Sequence, residues 1–400
     1  MNYANSLSLA TRRMKSSLIR ELVASTKNIP GLISFAGGFP SPQTFPQKQL
    51  AELYREVVLE DGLDVLQYGS SEGDARLKEQ LIKWEGCDLS PDEMIVTVGS
   101  TNALYCYSRA MLDPNEVVLC EAPSFLGSLV TFDALKADVQ SVPIDNDGII
   151  IEALEAKIKY LRERGRTIKF LYVIPDFHNP AGITYSLERR RKLISFCLEN
   201  RIPIAEDNPY SRLRFSGEPL PTLFELDRDE FGASHVVTEF ITFSKILGPG
   251  MRIAYAKGDR EIINKMVSWQ QKVNVTPECV SQRVAARFLE KGLMDPHIKG
   301  ICDFYRPYLE KMLGELENNM PSGVSWTKPE GGIFLWLTLP ESVDADELFV
   351  RAGKNKVSFI PGSKFYPSGQ GKANTLRLNF SYSSLEQIGE GIQRLAELLK

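Results

Sequence analysis

Short apolar runs rich in β-branched and aromatic residues alternate along the chain with longer segments that have helical spacing. The runs at 94–98, 116–120, 168–174, 202–206, 236–243 and 252–256 have the length of strands. Helices are predicted at 100–112, 125–135 and 187–200. Because apolar strands that alternate with helices are typical of parallel sheets, we predict an α/β fold with a mostly parallel sheet between helices.

The pattern changes near residue 285. Long helices are predicted at 279–291 and 298–319, followed by strands at 332–339, 357–360 and 375–380 and a closing helix at 384–399. We therefore predict an N-terminal arm over residues 1–45, a large domain over 46–285 and a small α+β domain over 286–400. The arm contains a predicted helix at 14–27, which packs with the small domain, and then a Gly/Pro-rich stretch at 36–42.

The composition is that of an ordinary globular enzyme, with 43% hydrophobic and 24% charged residues among 400. The net charge of −4 and the lack of a basic stripe argue against a nucleic-acid-binding surface. No apolar stretch has the length of a membrane span, and the N-terminus lacks the apolar centre of a signal peptide. The sequence thus predicts a cytoplasmic protein, with neither a membrane nor nucleic acid as partner.

Cysteine and histidine are sparse and scattered. The six cysteines form no C-x-x-C pair, and the three histidines are isolated from one another. We therefore predict no metal site and no disulfide framework, and we expect the thiols to be reduced.

Lys245 follows the apolar run at 240–243 and begins a turn rich in glycine and proline. Thr242 and Ser244 place hydroxyl groups beside it, and Arg252 comes seven residues later. This set suits an amine that forms a Schiff base while hydroxyls and a guanidinium hold a phosphate. A lone lysine after a strand is more often solvated, so the ends of the other strands decide between the two interpretations.

In an open parallel sheet, ligands bind beyond the carboxyl ends of the strands. The residues that follow four further predicted strands are Ser100 with Thr101, then Phe125, then Asn179, and finally Asp207 with Tyr210. Each group has an ordinary structural explanation, respectively a capped helix, a core aromatic ring, a turn amide and a loop-capping carboxylate.

Taken together, these strand ends supply a complete site for pyridoxal 5'-phosphate (PLP). Asp207 would keep the pyridine nitrogen protonated, while Asn179 and Tyr210 bind the ring hydroxyl. Phe125 would stack on one face of the ring. The residues predicted to surround the phosphate are Ser100, Thr101, Thr242, Ser244 and Arg252. Lys245 would form the aldimine and later move the α-proton, so we expect partial burial and the Arg252 charge to lower its pKa.

A set of short motifs carries a family resemblance over nearly the whole chain. They are ISFAGGFP at 33–40, LQYG at 66–69, NPAG at 179–182, AEDNPY at 205–210, FSK at 243–245 with PGMR at 249–252, PEGGIF at 329–334 and LRLNFS at 376–381. In their order and spacing, the chain resembles the class I/II aminotransferases of PLP-dependent transferase fold type I. The branch that it resembles most holds the α-aminoadipate and kynurenine aminotransferases and the aminotransferase half of MocR-type regulators.

The resemblance implies roles for residues that spacing alone does not single out. Arg377 matches the arginine that binds the α-carboxylate of the substrate, and Gly38 matches a glycine whose backbone lies against that carboxylate. Asn179 is assigned to the substrate as well as to the cofactor. Tyr68 matches a tyrosine that reaches the phosphate of the partner subunit, which implies a homodimer with shared active sites. Arg20 matches an arginine that meets an acidic side chain of the substrate.

Some positions depart from the family pattern. Phe125 stands where tyrosine is usual, so the stacking ring is retained and its hydroxyl is lost. Thr101 and His178 stand where glutamine is usual, and Asp176 is unusual for its segment. Thr101 retains a backbone N–H for the phosphate, whereas His178 is expected either to face the substrate or to pack within its turn.

The implied activity is transamination. An acidic, aromatic or long-chain amino acid would donate its amino group, through the Lys245 aldimine, to a 2-oxo acid such as 2-oxoglutarate or pyruvate. The same residues also suit a PLP-dependent β-elimination lyase, because both reactions share a carbanion. A ligand-sensing regulator is disfavoured, since only about thirty residues precede the first motif and no winged-helix segment fits there.

Overall fold

The computed structural model describes residues 3, 6–8, 11, 12, 29–367 and 371–400. The helix predicted at 14–27, which includes Arg20, therefore lies outside the described residues. Within the described ranges, no helix is long and apolar enough to cross a membrane.

An eight-stranded sheet forms the centre of the fold. Its strands, in spatial order, are β2 (Met94–Thr97), β9 (Ala254–Lys257), β8 (Val237–Thr242), β7 (Ile204–Asp207), β6 (Ile168–Val173), β3 (Val117–Ala122), β4 (Asp138–Asp145) and β5 (Gly148–Ile149). From β8 through β4 all neighbours are parallel, whereas β9 runs antiparallel to both β2 and β8, and β5 to β4. The prediction of a mostly parallel sheet in an α/β fold is thus confirmed.

Helices accompany the strands through the chain. They are α1 (Gln47–Glu60), α2 (Gly62–Val65), α3 (Ala75–Glu85), α4 (Ser100–Met111), α5 (Leu126–Ala134), α6 (Ile151–Arg162), α7 (Leu187–Asn200), α8 (Leu223–Glu230), α9 (Arg260–Asn274), α10 (Cys279–Glu290), α11 (Met294–Asn319), α12 (Ala345–Lys354) and α13 (Leu385–Glu397). Helix α7 has the predicted bounds, and α11 begins four residues before the predicted 298. Residue 285, the predicted domain boundary, lies inside α10.

The hydrophobic core lies on both faces of the large sheet. Along β6, Phe170 and Tyr172 belong to one buried cluster, whereas Leu171 and Val173 belong to the other. Since successive side chains of a strand point to opposite faces, this division means that the sheet is covered on both sides. A ligand of this sheet is therefore expected at the ends of its strands and not on its faces.

A second sheet is built from the C-terminal part of the chain. Its strands are β10 (Ser325–Trp326), β11 (Phe334–Thr338), β14 (Thr375–Asn379) and β13 (Ile360–Pro361), all antiparallel to their neighbours. Strand β1 (Ile33–Ser34) pairs in parallel with β12 (Val357–Ser358), so the segment that leads to Gly38 is fixed to this C-terminal unit.

Candidate active site

Every predicted site residue that the structure describes, except Tyr68, lines one cavity of about 220 Å³ at the carboxyl ends of the parallel strands. The lining residues are Gly38, Ser100, Thr101, Phe125, Ile174, Asn179, Asp207, Pro209, Tyr210, Thr242, Ser244, Lys245, Arg252, Phe334 and Arg377. Gly38, Phe334 and Arg377 come from the C-terminal unit and the segment attached to it, so the cavity lies between that unit and the large sheet.

One end of the cavity is built to receive an anion. The first hydrogen bonds of α4 run from the N–H groups of Asn102 and Ala103 to the carbonyl of Gly99, so the N–H groups of Ser100 and Thr101 precede the helical ladder. Gly99, and not Ser100, is therefore the N-cap of the helix. With φ at +83°, Gly99 takes a conformation that favours glycine.

The Arg252 guanidinium lies directly against Gly99. A Cβ at residue 99 would come within 2.2 Å of Nη2, so the glycine makes room for this charge. Arg252 also donates to the carbonyls of Val98 and Pro249, each at 3.3 Å. The hydroxyls of Thr242 and Ser244 complete this end of the cavity and are 3.0 Å apart. A guanidinium, hydroxyls and a helix N-terminus are the groups that suit a phosphate.

Asp207 ends β7 on the floor of the cavity. Its Oδ2 accepts a hydrogen bond of 2.6 Å from the Tyr172 hydroxyl, whereas the buried Oδ1 has no hydrogen-bond partner among the described residues. Burial raises the pKa of Asp207 to about 6, with the Tyr172 hydrogen bond opposing the rise. A buried carboxylate oxygen without a partner is costly, and a cationic donor such as a pyridinium N–H would satisfy it.

Lys245 lies across the cavity, where its Nζ donates a 2.8 Å hydrogen bond to the Gly38 carbonyl. Burial, together with the charges of Arg377 and Arg252, lowers the pKa of Lys245 to about 8. The predicted effect of Arg252 is confirmed, but the larger of the two electrostatic contributions comes from Arg377. An amine with this pKa is partly neutral near pH 7, as a nucleophile or a proton acceptor must be.

Arg377 is held by neutral groups. Its Nη1 donates to Oδ1 of Asn179 at 2.9 Å and its Nη2 to the Ala36 carbonyl at 2.8 Å. Its guanidinium carbon lies 4.1 Å from the ring centre of Phe334 and 5.1 Å from that of Phe365. Among the described residues no carboxylate pairs with it, and Nε is buried without a partner. A buried guanidinium in this state is prepared to bind a carboxylate.

These features fit the cofactor predicted from the sequence. The cavity places an anion-binding end, an amine and an unsatisfied carboxylate oxygen around one space, which are the partners that the phosphate, aldehyde and ring nitrogen of PLP require. Phe125 and Tyr210 add aromatic walls, and burial raises the pKa of the Tyr210 hydroxyl, which therefore stays a hydrogen-bond donor.

Three of the predictions concern residues outside the cavity. Tyr68 is 81% exposed and lines a separate surface groove with Gly69 and Cys279. His178 is fully buried and does not line the cavity, so it packs within its turn. Asp176 forms a buried ion pair of 2.8 Å with Arg190. The unusual side chains of His178 and Asp176 are thus part of the support beneath the Asn179 turn.

Sequence reasoning missed three residues that shape the site. Tyr172 donates to Asp207, Phe334 stacks on Arg377 and meets the Tyr210 ring edge-on at 5.9 Å, and Ile174 lines the wall. Phe334 follows a Gly-Gly pair within a recognised motif, which was an available signal. Tyr172 and Ile174 stand within an apolar strand and carry no signal that separates them from core residues.

The sequence matches the family model of aminotransferase class I and II over residues 32–395. An aromatic-amino-acid aminotransferase of Thermococcus litoralis is 38% identical, with 100% of this chain and 95% of the relative aligned. A crystal structure of a Pyrococcus horikoshii kynurenine aminotransferase in complex with PMP has a TM-score of 0.94 at 38% identity and is covered to 98% by the whole chain.

A third similar protein is the α-aminoadipate aminotransferase LysN of Thermus thermophilus, whose structure is complexed with N-(5'-phosphopyridoxyl)-L-leucine. It has a TM-score of 0.91 and 34% identity, and the alignment covers 100% of this chain and 98% of that one. The chain therefore belongs to the aminotransferase class I and II family, and it has the fold of these enzymes.

Proposed function

We propose that this protein is a PLP-dependent aminotransferase that moves the amino group of an acidic, aromatic or long-chain amino acid to a 2-oxo acid such as 2-oxoglutarate or pyruvate. One observation carries the proposal. A single cavity holds the Lys245 amine, the unsatisfied Asp207 oxygen and the unpaired Arg377 guanidinium. The three groups match an aldehyde, a ring nitrogen and a substrate carboxylate, and family membership supports the same assignment.

When bound, PLP supplies an aldehyde that accepts the amino group and a ring that accepts the electrons of a carbanion. Asp207 would hold the proton on the ring nitrogen, and Asn179 with Tyr210 would bind the ring oxygen. The phosphate would be held by Ser100, Thr101, Thr242, Ser244 and Arg252, all on the cavity wall. Phe125 would stack on the ring.

Lys245 is the base of the reaction. Its neutral amine would accept the α-proton of the substrate at Nζ and would then release it to the cofactor carbon that carries the amino group, because its lowered pKa allows both transfers near neutral pH. Arg377 binds the α-carboxylate and so orients the α-hydrogen toward Nζ, while the backbone of Gly38 closes over the same carboxylate. Since Nζ lies 2.8 Å from the Gly38 carbonyl, the base and the carboxylate site are adjacent.

The donor class is inferred from the relatives and from the cavity entrance. The similar proteins are named for aromatic amino acids, kynurenine and α-aminoadipate. Phe39 and Tyr382, both more than half exposed, meet edge-on at 6.3 Å beside Gly38. These rings would contact an aromatic or long side chain, and Arg20 would pair with an acidic one.

The assembly that we propose is a cytoplasmic homodimer with shared active sites. Leu59, Leu63, Leu66 and Tyr68 are each at least 68% exposed and lie close together in the chain, as expected of a surface that a second subunit covers. Tyr68 would reach the phosphate of the partner. We also propose the division into an arm over 1–45, a large domain over 46–285 and a small domain over 286–400.

The test is a half-reaction. The PLP-loaded protein is incubated with single amino acids, and loss of its visible band is followed together with formation of the 2-oxo acid. We expect bleaching by at least one aromatic, acidic or long-chain donor and recovery on addition of 2-oxoglutarate or pyruvate. Ammonia released without any oxo acid acceptor would instead establish a β-elimination lyase, and a protein without a visible band that still turns over would refute the proposal.

A further inference from the structure

The turn between β6 and α7 places Asn179 against Arg377. Asn179 accepts the 2.9 Å hydrogen bond from Nη1 of Arg377, so its position helps to fix the carboxylate-binding group. The turn itself is closed by bonds from the His178 N–H to the Ile183 carbonyl, at 2.8 Å, and from the Gly182 N–H to the His178 carbonyl, at 2.6 Å. His178, the residue before Asn179, is therefore the point at which the turn closes.

The His178 ring joins this turn to the large sheet. Its Nδ1 accepts a 3.1 Å hydrogen bond from the Ala181 N–H, which requires that Nδ1 carry no proton. Its Nε2 lies 3.1 Å from Oε2 of Glu121, with no side-chain exposure on either partner. The N–H direction is not well aligned with that oxygen, so this is a close polar contact and not a regular hydrogen bond.

Glu121 is a fixed anchor for that contact. It lies on β3, its Oε2 accepts from the Ile174 N–H at 3.0 Å and its Oε1 accepts from the Tyr185 hydroxyl at 2.6 Å. All its partners are neutral, and the hydrogen bonds hold the carboxylate in one orientation behind the cavity. A carboxylate held from two adjacent strands cannot follow small movements of the turn.

We propose that His178 is a positioning residue, whose Nδ1 braces the Asn179 turn and whose Nε2 ties that turn to Glu121, so that Asn179 stays in place for Arg377 and the cofactor. The proposal rests on the proposed function, because it assigns to His178 an effect on that reaction through Asn179. His178 itself touches neither substrate nor cofactor.

The tautomer can be tested without the reaction. The chain has three histidines, so selective ¹⁵N labelling gives few signals. In the PLP-loaded protein at about pH 8, one histidine should show a protonated Nε2 and an unprotonated Nδ1, and this pair of signals should disappear in His178→Asn. A His178 ring with a proton on Nδ1 would overturn the proposal.

Two variants separate the two contacts. His178→Gln retains a donor at the position of Nε2 but loses the acceptor at Nδ1. His178→Asn retains an acceptor at the position of Nδ1 but loses the donor at Nε2, because the amide atoms fall at the corresponding positions of the ring. We expect His178→Asn to lower kcat/KM about 10- to 100-fold, since the turn loses its tie to Glu121. His178→Gln should lose less than about tenfold. An unchanged rate in His178→Asn would contradict the role of the Glu121 contact.

A double-mutant cycle tests whether the effect passes through Asn179. If it does, His178→Asn should cause no further loss of kcat/KM in an Asn179→Ala protein. Tyr185→Phe is the control, because it also removes a donor from Glu121 but leaves His178 and its two contacts in place. Its effect should multiply with that of Asn179→Ala. Multiplicative losses for His178→Asn as well would show general destabilisation and sink the proposal.

The outcomes also distinguish this proposal from the proposed function. If the wild-type protein shows no visible band and no transamination, the proposed function fails. If it transaminates and Asn179→Ala impairs it, but His178 and Asn179 act independently, only the role of His178 fails. Unfolding midpoints of all variants show whether each comparison is made between folded proteins.

Discussion

Two groups of charged side chains lie at different places on the large sheet and differ in whether each charge has a partner. In the cavity, Lys245, Asp207 and Arg377 have no ion-pair partner among the described residues, and Oδ1 of Asp207 and Nε of Arg377 have no hydrogen bond. A second group, the Lys257 cluster, consists of Lys257, Glu85, Glu239, Tyr255 and Arg212. Except for Arg212, whose side chain is 39% exposed, both groups are buried, so the difference between them is one of partners.

In the Lys257 cluster each charge lies in an ion pair, although Oε2 of Glu239 makes no regular hydrogen bond and burial still raises the pKa of Glu239. Lys257 Nζ lies 2.5 Å from Glu85 and 3.0 Å from Glu239, while Tyr255 and Arg212 also donate to Glu85. Burial alone would raise the pKa of Glu85, yet Lys257 and Arg212 lower it to about 2. In the cavity, burial prevails instead, so the pKa of Asp207 rises and that of Lys245 falls.

The comparison separates charges that hold the fold from charges that wait for a ligand. Removing one member of a buried ion pair leaves the other charge in the interior without a partner, and this destabilises the fold. Unmatched charges cost stability until a cofactor or substrate supplies the partner. Substitutions in the cavity should therefore mainly change catalysis, whereas substitutions in the Lys257 cluster should mainly lower the free energy of unfolding.

The largest effect is expected for Lys245→Ala. The protein should fold and still bind PLP, but its transamination rate should fall at least about 10⁴-fold, because both the attachment point and the base are lost. Borohydride reduction of the PLP-loaded wild type should label the peptide that contains Lys245, and the variant should take up no label. A label on another lysine, or residual activity above about one per cent, would contradict the assignment.

Lys257→Met should have the opposite signature. Leaving Glu85 and Glu239 without their cation should lower the free energy of unfolding by about 3 to 5 kcal/mol, measured by denaturant titration. Adding Glu85→Gln should recover part of that loss, because it removes one uncompensated charge. Lys192→Met is the control: its exposed pair with Glu188 should leave the unfolding midpoint unchanged. If Lys257→Met and Lys192→Met lowered the free energy of unfolding equally, the structural role of the Lys257 cluster would be contradicted.

Asp207→Asn should stabilise the cofactor-free protein and abolish efficient catalysis. The pKa of Asp207 is raised to about 6, so the folded state binds its proton more tightly than the unfolded state does. Wild-type stability therefore falls as pH rises from about 4 to about 6, and the amide escapes this loss. We expect a gain of about 1 to 3 kcal/mol at pH near 8 and none below pH about 4. A variant that is less stable at pH near 8 would show that Asp207 is structural.

Much of the candidate site is predictable from the sequence, because many of its residues lie near the ends of strands. Most cofactor residues of the large sheet end a strand or lie in the segment that follows one, and parallel strands bring such ends together whatever their distance in the chain. Asp207 and Lys245 were found in this way.

Partners that cross the sheet or the cavity could not be found in the same way. Tyr172 is a strand tyrosine like any core residue until the fold places its hydroxyl against Asp207. The cap at Gly99 also depends on a distant residue, since the Arg252 guanidinium occupies the space that a Cβ would fill. Sequence reasoning identified the groups that need a partner better than it identified the partners.

The smallest effect is a pH dependence that compares the two lysines directly. Reductive methylation of the cofactor-free protein should modify Lys245 at a rate that rises about tenfold per pH unit up to about 8 and then levels off, because only the neutral amine reacts. Lys257 should remain unmodified, since it is fully buried and its carboxylate partners raise its pKa. Exposed lysines provide the internal control, because their rates should continue to rise toward pH about 10. Arg377→Gln should move the Lys245 midpoint upward, since the Arg377 charge is the larger electrostatic contribution. A Lys245 profile that coincides with the exposed lysines would mean that the cavity does not hold the amine in a neutral form, and the contrast between unmatched and matched charges would then fail at its most reactive group.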